Sequence, residues 1–203
     1  MPNFLVTNVR SIALKIDEFE TVLKLNDVDC ACLTESWLAD DILTCCIEIP
    51  GYMTFRRDRN DGRKGGGVLC YVRNNFQCVQ LKDFECDNVE SLWLLYRANK
   101  MPRQVSHIFV GIIYHPPNVN SNVTVTHIID CIYKISRKHP QVGIVLVGDF
   151  NRMNDRCIVS FPLKKLVKGA TRGNNILDKI YSNINRYFKT PIVLPPIGTS
   201  DHR

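Results

Sequence analysis

Residues 144–151 read IVLVGDFN, so four aliphatic residues and Gly148 lead into Asp149 and Asn151. On an extended backbone, side chains two apart project to the same side, which brings a carboxylate and a carboxamide together. The carboxylate can accept a proton or hold a cation, and the amide offers both a donor and an acceptor. Gly148 permits close approach of backbone or ligand. The bland alternative is that Asp149 caps a turn after a buried strand. A second apolar run, DVDCACLTESW (27–37), leads to Glu35, a carboxylate at a strand terminus that would suit an oxygen-seeking cation. Asn8 follows a first strand, Tyr114 closes another, Asp178 lies among Ile176, Leu177 and Ile180, and the chain ends in GTSDHR with Asp201 and His202 adjacent. An acid with three such apolar neighbours is either strand-exposed or partnered.

These side chains are far apart in sequence, so only a fold that gathers strand ends could make one site of them. The apolar runs at 4–8, 30–36, 66–72, 89–96, 107–115, 142–150 and 176–183 are expected strands. Ile12, Ile16, Phe19 and Leu23 fall on one face of a helix with Ser11 as a possible cap. Val125, Ile128, Ile129 and Ile132 mark a second helix. Strands that are apolar throughout suggest burial on both faces, and hence an α/β sandwich with sheets inside and helices outside. At 203 residues the chain suits one domain.

No apolar stretch approaches the roughly 18 residues of a membrane span, and the N-terminus lacks signal-peptide order, so an intracellular protein without membrane association is expected. The nine cysteines include no CxxC pair; Cys30, Cys32 and Cys70 lie in strand-like runs and read as reduced, small hydrophobic residues. Cys45 and Cys46 have no histidine at zinc-ligand spacing. The net charge of +6 is uneven, with −6 over residues 1–50, +5 over 51–151 and +7 over 152–203. A polyanionic partner fits this distribution as well as a solvated surface does.

Taken together, the order N-x-R, T-E-x-W, Y-x-P-P, G-D-F-N, L-D and S-D-H resembles the endonuclease/exonuclease/phosphatase superfamily along nearly the whole chain. Within it, TESWL (34–38), RRDRNDGRKGGGV (56–68), GIIYHPP (111–117) and ATRGNNILDKIYSN (170–183) are similar to the apurinic-type endonuclease domain of non-LTR (LINE-type) retrotransposons. The resemblance implies a DNase I-like four-layer α/β sandwich, two packed mixed sheets flanked by helices, and a Mg²⁺-dependent endonuclease that nicks DNA to prime reverse transcription, with Mn²⁺ able to substitute. It implies that Glu35 binds the metal, with Asn8 and Asp201 as ligands or orienting groups. Asp149 would activate water, Asn151 position it or hold the phosphate, Tyr114 donate to a phosphate oxygen, and His202 contact the scissile phosphate with Asp178 orienting it. It also implies a monomer, normally fused to a reverse transcriptase. The family continues past Ser-Asp-His into a further strand, so residues 1–203 are expected to form a single domain without its last strand and with impaired stability or activity.

DNA contact is expected from the basic stretch at 56–64, above all Arg59, Arg63 and Lys64, and from Thr171 and Arg172. The alternatives are a superfamily relative acting on lipid, inositol phosphate or RNA, and a truncated nucleic-acid-binding relic; no Trp-Cys-Asp-Arg stretch supports the inositol branch. Other patterns carry less. LADD (38–41) lacks a polymerase setting, GRKGGG lacks the ending of a P-loop, and Asn122-Val-Thr would need a secretory route to be glycosylated. His107, His115, His127 and His139 show no ligand spacing.

Overall fold

The computed structural model describes residues 1–97 and 101–203. Strands β1 (Phe4–Asn8), β2 (Cys30–Thr34), β3 (Tyr52–Arg57) and β4 (Val68–Arg73) form one sheet in the order β1-β2-β4-β3. Strands β5 (Gln77–Gln80), β6 (Glu90–Arg97), β7 (Ile108–Tyr114), β8 (Gly143–Asp149), β9 (Lys164–Lys165) and β10 (Asp178–Ser182) form the other, in the order β5-β6-β7-β8-β10-β9. Helix α1 (Ile16–Leu25) links β1 to its parallel partner β2, α2 (Ser121–Lys138) links β7 to its parallel partner β8, and a short α3 (Arg156–Val159) follows β8.

Alternation explains the layering. Cys30 and Cys32 of β2 and Val68, Cys70 and Val72 of β4 face a core shared with Val145 and Val147 of β8 and Leu92 and Leu94 of β6, so this core lies between the sheets. The intervening Ala31, Leu33, Leu69 and Tyr71 face the opposite way and pack on Phe19 and Leu23 of α1. Ile144 and Leu146 of β8 likewise meet Val125, Ile128 and Ile132 of α2. Each central strand is therefore covered on both faces, and the result is the expected four-layer DNase I-like sandwich.

Gly148 shows how closely the layers are fitted. Its φ is +130°, and a Cβ there would lie 2.0 Å from the carbonyl oxygen of Ile113 on β7. No other residue fits, so Gly148 allows β8 to lie against its neighbour just before Asp149.

The expected strands are all present, while β3, β5 and β9 were not anticipated. The first helix begins later than expected. Ser11 has φ +74° and does not cap the helix; Lys15 occupies the N-cap position without a side-chain capping bond, its ammonium donating instead to the Val9 and Arg10 carbonyls, and Leu14 is left exposed. Ile12 is nonetheless fully buried in the core beside α1. The second helix is capped by Asn120, whose side chain accepts from the Asn122 amide at 2.9 Å. Among the described residues, no helix is long and apolar enough to cross a membrane.

Candidate active site

The C-terminal ends of β1, β2, β7 and β8 meet at one end of the sandwich, where β10 begins. Antiparallel pairing sets Asp178 opposite Asp149, and parallel pairing sets Tyr114 beside Asp149. The side chains of Asn8, Asp149, Asn151, Asp178 and His202, expected from the sequence to act together, are gathered here as two hydrogen-bonded groups, Asn8–Asp149–Asn151 and Asp178–His202, 4.0 Å apart between His202 and Asp149. Asp149 is 1% exposed and accepts from the Asn151 backbone at 2.8 Å, from the Asn8 amide at 2.9 Å and from the Asn151 amide at 3.2 Å. Asn151 has φ +44°, so it reaches Asp149 by a left-handed turn rather than by strand alternation, and its amide also donates to the His115 carbonyl at 2.8 Å.

His202 lies on the other side of the two carboxylates. Its Nδ1 is 2.7 Å from Asp178 Oδ2, and its Nε2 is 4.0 Å from Asp149 Oδ2. Burial lowers the pKa of the ring, but the bond to Asp178 and the charges of Asp178 and Asp149 outweigh it, so His202 holds its proton above the usual range. Asp149 is pushed up to about 6, first by burial and then by the neighbouring charge of Asp178, against the opposing influence of His202 and the amide donors. A carboxylate in that range is ionised near neutrality yet basic enough to accept a proton.

Glu35 also has a left-handed backbone, φ +56°, a conformation that costs about 1–3 kcal/mol away from glycine. Its side chain accepts from the Tyr114 hydroxyl, the Trp37 indole and, at 3.0 Å, the Gly66 amide. Gly66 has φ +76° and a Cβ there would strike Arg59 and Glu90 at 2.4 Å, so the glycine run at 65–67 is what lets this amide approach Glu35. Asp178 Oδ1 is buried and has no hydrogen-bond partner among the described residues. A partnerless buried carboxylate oxygen, across the strand register from a second carboxylate, fits a hard oxygen-seeking cation or the water around one.

Several expected assignments change. Tyr114 donates to Glu35. Asp201 does not join the buried cluster; it is 42% exposed by side chain and bonds Arg172 at 2.6 Å and Arg10 at 3.4 Å. Arg59 is not a free DNA-facing cation, since it pairs with Glu90 at 2.6 Å and its side chain is only 8% exposed. Arg56 and Arg57 sit in β3 and donate to backbone carbonyls of residues 39, 42, 86, 89 and 91. Thr171 is 3% exposed, and its hydroxyl accepts from the backbone amides of Leu177 and Asp178, both at 3.0 Å. It thus holds the strand carrying Asp178. Arg63, which pairs with Asp61, and Lys64 remain exposed. The Arg59–Glu90 pair anchors the loop that supports Glu35, so Arg59→Ala, which leaves the largely buried Glu90 without its partner, should cost about 1–3 kcal/mol of stability in urea unfolding. An unchanged midpoint with weakened DNA binding would return Arg59 to the surface role expected from sequence.

Ser200 and Trp37 lie in the S-D-H and T-E-x-W motifs, but the sequence assigned them no role of their own. The Ser200 hydroxyl donates to the Asn8 carbonyl at 2.6 Å and accepts from the His202 amide at 3.1 Å, tying the Ser-Asp-His segment to the end of β1. A serine two residues before a functional histidine is an available signal for such a turn.

None of the curated proteins matches the sequence. Among solved structures, the endonuclease domain of TRAS1, a telomere-specific non-LTR retrotransposon, superposes with a TM-score of 0.74 at 14% identity, covering 100% of this chain and 95% of that one. The Xenopus laevis APE2 catalytic domain gives 0.66 at 12% identity, with 98% and 88% covered, and the human Nocturnin catalytic domain gives 0.64 at 16%, with 99% and 90% covered. At these identities the likeness is one of fold. The family model described as Endonuclease/Exonuclease/phosphatase family matches residues 5–202, from β1 to the histidine bonded to Asp178, and by that match the chain belongs to the endonuclease/exonuclease/phosphatase family.

Proposed function

We propose that this chain is a divalent-metal-dependent DNA endonuclease of the non-LTR retrotransposon type, cleaving one strand to leave a 3′ hydroxyl and a 5′ phosphate. The observation that carries the phosphodiesterase reading is that the Asn8–Asp149 and Asp178–His202 hydrogen-bonded pairs gather at the end of the sandwich where β2 leads into Glu35. The choice of DNA rests on the likeness to the TRAS1 endonuclease domain over both chains, together with the +6 net charge.

Glu35 and Asn8 would supply oxygen ligands to Mg²⁺, or Mn²⁺ in its place, with the unpartnered oxygen of Asp178 available to the ion's water, and when bound the ion would neutralise charge on the phosphate oxygens. The chain's own groups do the rest. Asp149 accepts the proton of the attacking water, oriented by the three N–H donors that fix its carboxylate. His202, held protonated by Asp178, donates from Nε2 to a phosphate oxygen as charge accumulates there. The bond from phosphorus to O3′ breaks, and O3′ takes a proton from solvent. Tyr114 and the Gly66 amide hold Glu35 in position.

The test is nicking of a supercoiled plasmid with Mg²⁺, followed by polymerase extension of the nick. Nicks should form, disappear with EDTA and be extendable without phosphatase treatment. Hydrolysis confined to inositol phosphates, lipid headgroups or RNA would place the chain on another branch of the family. Glu35→Gln should raise the Mg²⁺ concentration needed for half-maximal rate at least about tenfold, given the loss of a charged ligand; an unchanged requirement would remove Glu35 from the metal.

The pH profile follows from two groups. Asp149 must be ionised, so kcat/KM should rise with pH through a limb near 6. His202 must be protonated, so the rate should fall again as pH passes its pKa, which lies above that of an ordinary histidine. The two limbs belong to the coupled pair, and a profile flat across this range would contradict both assignments.

A further inference from the structure

Cys30, Cys32 and Cys70 have no part in the chemistry above. All three are fully buried and all face the core between the sheets. Cys30 and Cys32 are two apart on β2 and so share a face, while Ala31 between them faces the other layer. Cys70 of β4 lies directly opposite Cys32 in the antiparallel register. Cys30 Sγ is 3.8 Å from Cys32 Sγ and 3.7 Å from Cys70 Sγ, and all three sulfurs lie within 4.8 Å of one another.

Those separations are close to what a metal would impose. Thiolates bound tetrahedrally at about 2.3 Å from zinc are about 3.8 Å apart, and in a trigonal arrangement about 4.0 Å. No disulfide is present at these distances; all the described cysteines are free. A fourth thiol, Cys78 on β5 of the facing sheet, packs against the same core and is only half-buried. Cys32, the member of the cluster nearest Glu35 in sequence, is three residues before it, or about 10 Å along an extended strand, so the sulfurs lie inside the sandwich rather than at the phosphodiester-cleaving end.

We propose that Cys30, Cys32 and Cys70 form a structural site for a thiophilic d¹⁰ cation, zinc(II) or copper(I), that pins β2 to β4 inside the sandwich. Uptake of zinc forms three Zn–S bonds and releases the thiol protons to solvent, which makes binding weaker at acid pH. Cys78 packs against the same core, but its sulfur is not one of the three clustered ones, so the protein supplies three thiolate ligands.

The experiment uses the full chain carrying Cys45→Ser, Cys46→Ser and Cys157→Ser, which removes the exposed thiols. Protein prepared anaerobically and desalted would be titrated with Zn²⁺, with Cd²⁺ as a spectroscopic probe, and with Cu⁺ against a copper(I) chelator. One equivalent should bind, with cadmium–thiolate charge-transfer absorbance and a thermal midpoint raised by several degrees. The zinc and copper titrations distinguish the two ions by affinity. Cys70→Val keeps the core apolar and close in volume, so it should stay folded and lose the absorbance and the thermal shift. Absence of cadmium–thiolate absorbance, full binding retained in Cys70→Val, or a Cys32–Cys70 disulfide in the freshly purified protein would each overturn the site.

Discussion

Asp149→Asn should lower kcat by about 10³-fold or more while the far-ultraviolet circular dichroism stays that of the folded chain. The substitution keeps the volume of a side chain that is 1% exposed, removes the capacity to accept a proton, and turns one of the two oxygens that accept the three N–H bonds into a donor. Because burial and Asp178 raise Asp149 to about 6, the wild-type carboxylate is a far better base than a solvated one. Asp149→Ala should be as inactive, and in addition leaves the Asn8 amide without its acceptor. Single-turnover cleavage separates these effects from substrate binding. A variant within tenfold of the wild type would exclude Asp149 as the base.

His202→Ala should also cost about 10³-fold, and Asp178→Asn no more than that, because the second acts through the first. The 2.7 Å bond from Asp178 fixes the ring and outweighs the burial that would otherwise discharge it. Two consequences separate this from general damage. The double variant should be no slower than His202→Ala alone, since groups working as a unit do not add. In Asp178→Asn the alkaline limb of the pH profile should move to lower pH, because a raising influence on His202 is gone. Additive losses, or an unmoved limb, would show that the two residues act separately.

How far the sequence disclosed this site depended on where each residue sits. Asp149 and Glu35 were visible because an apolar run buried on both faces must end at a sheet edge, and a carboxylate there has few purely structural uses. Asp178 was conspicuous among aliphatic neighbours, and His202 supplied the partner that its burial demanded. The arginines at 56–59 misled because charge in a sequence does not reveal what consumes it. Arg56, Arg57 and Arg59 close backbone carbonyls and a buried glutamate around β3, a strand whose half-buried, mixed composition lacks apolar periodicity. Thr171 misled in the same way, its hydroxyl serving the amides of residues 177 and 178. Three-dimensional pairing decided each of these, and local pattern does not encode it. The left-handed turns at Glu35, Trp37 and Asn151 were equally hidden, for they depend on tertiary bonds that overrule local preference.

The most direct measurement is anomalous diffraction from crystals soaked in Mn²⁺ with a short DNA strand. A manganese peak bonded to Glu35, with a phosphate within reach of Asp149 and His202 Nε2, is the expected result. A peak elsewhere on the surface, with DNA lying against a face that lacks these residues, would contradict the assignment of this cluster as the catalytic centre.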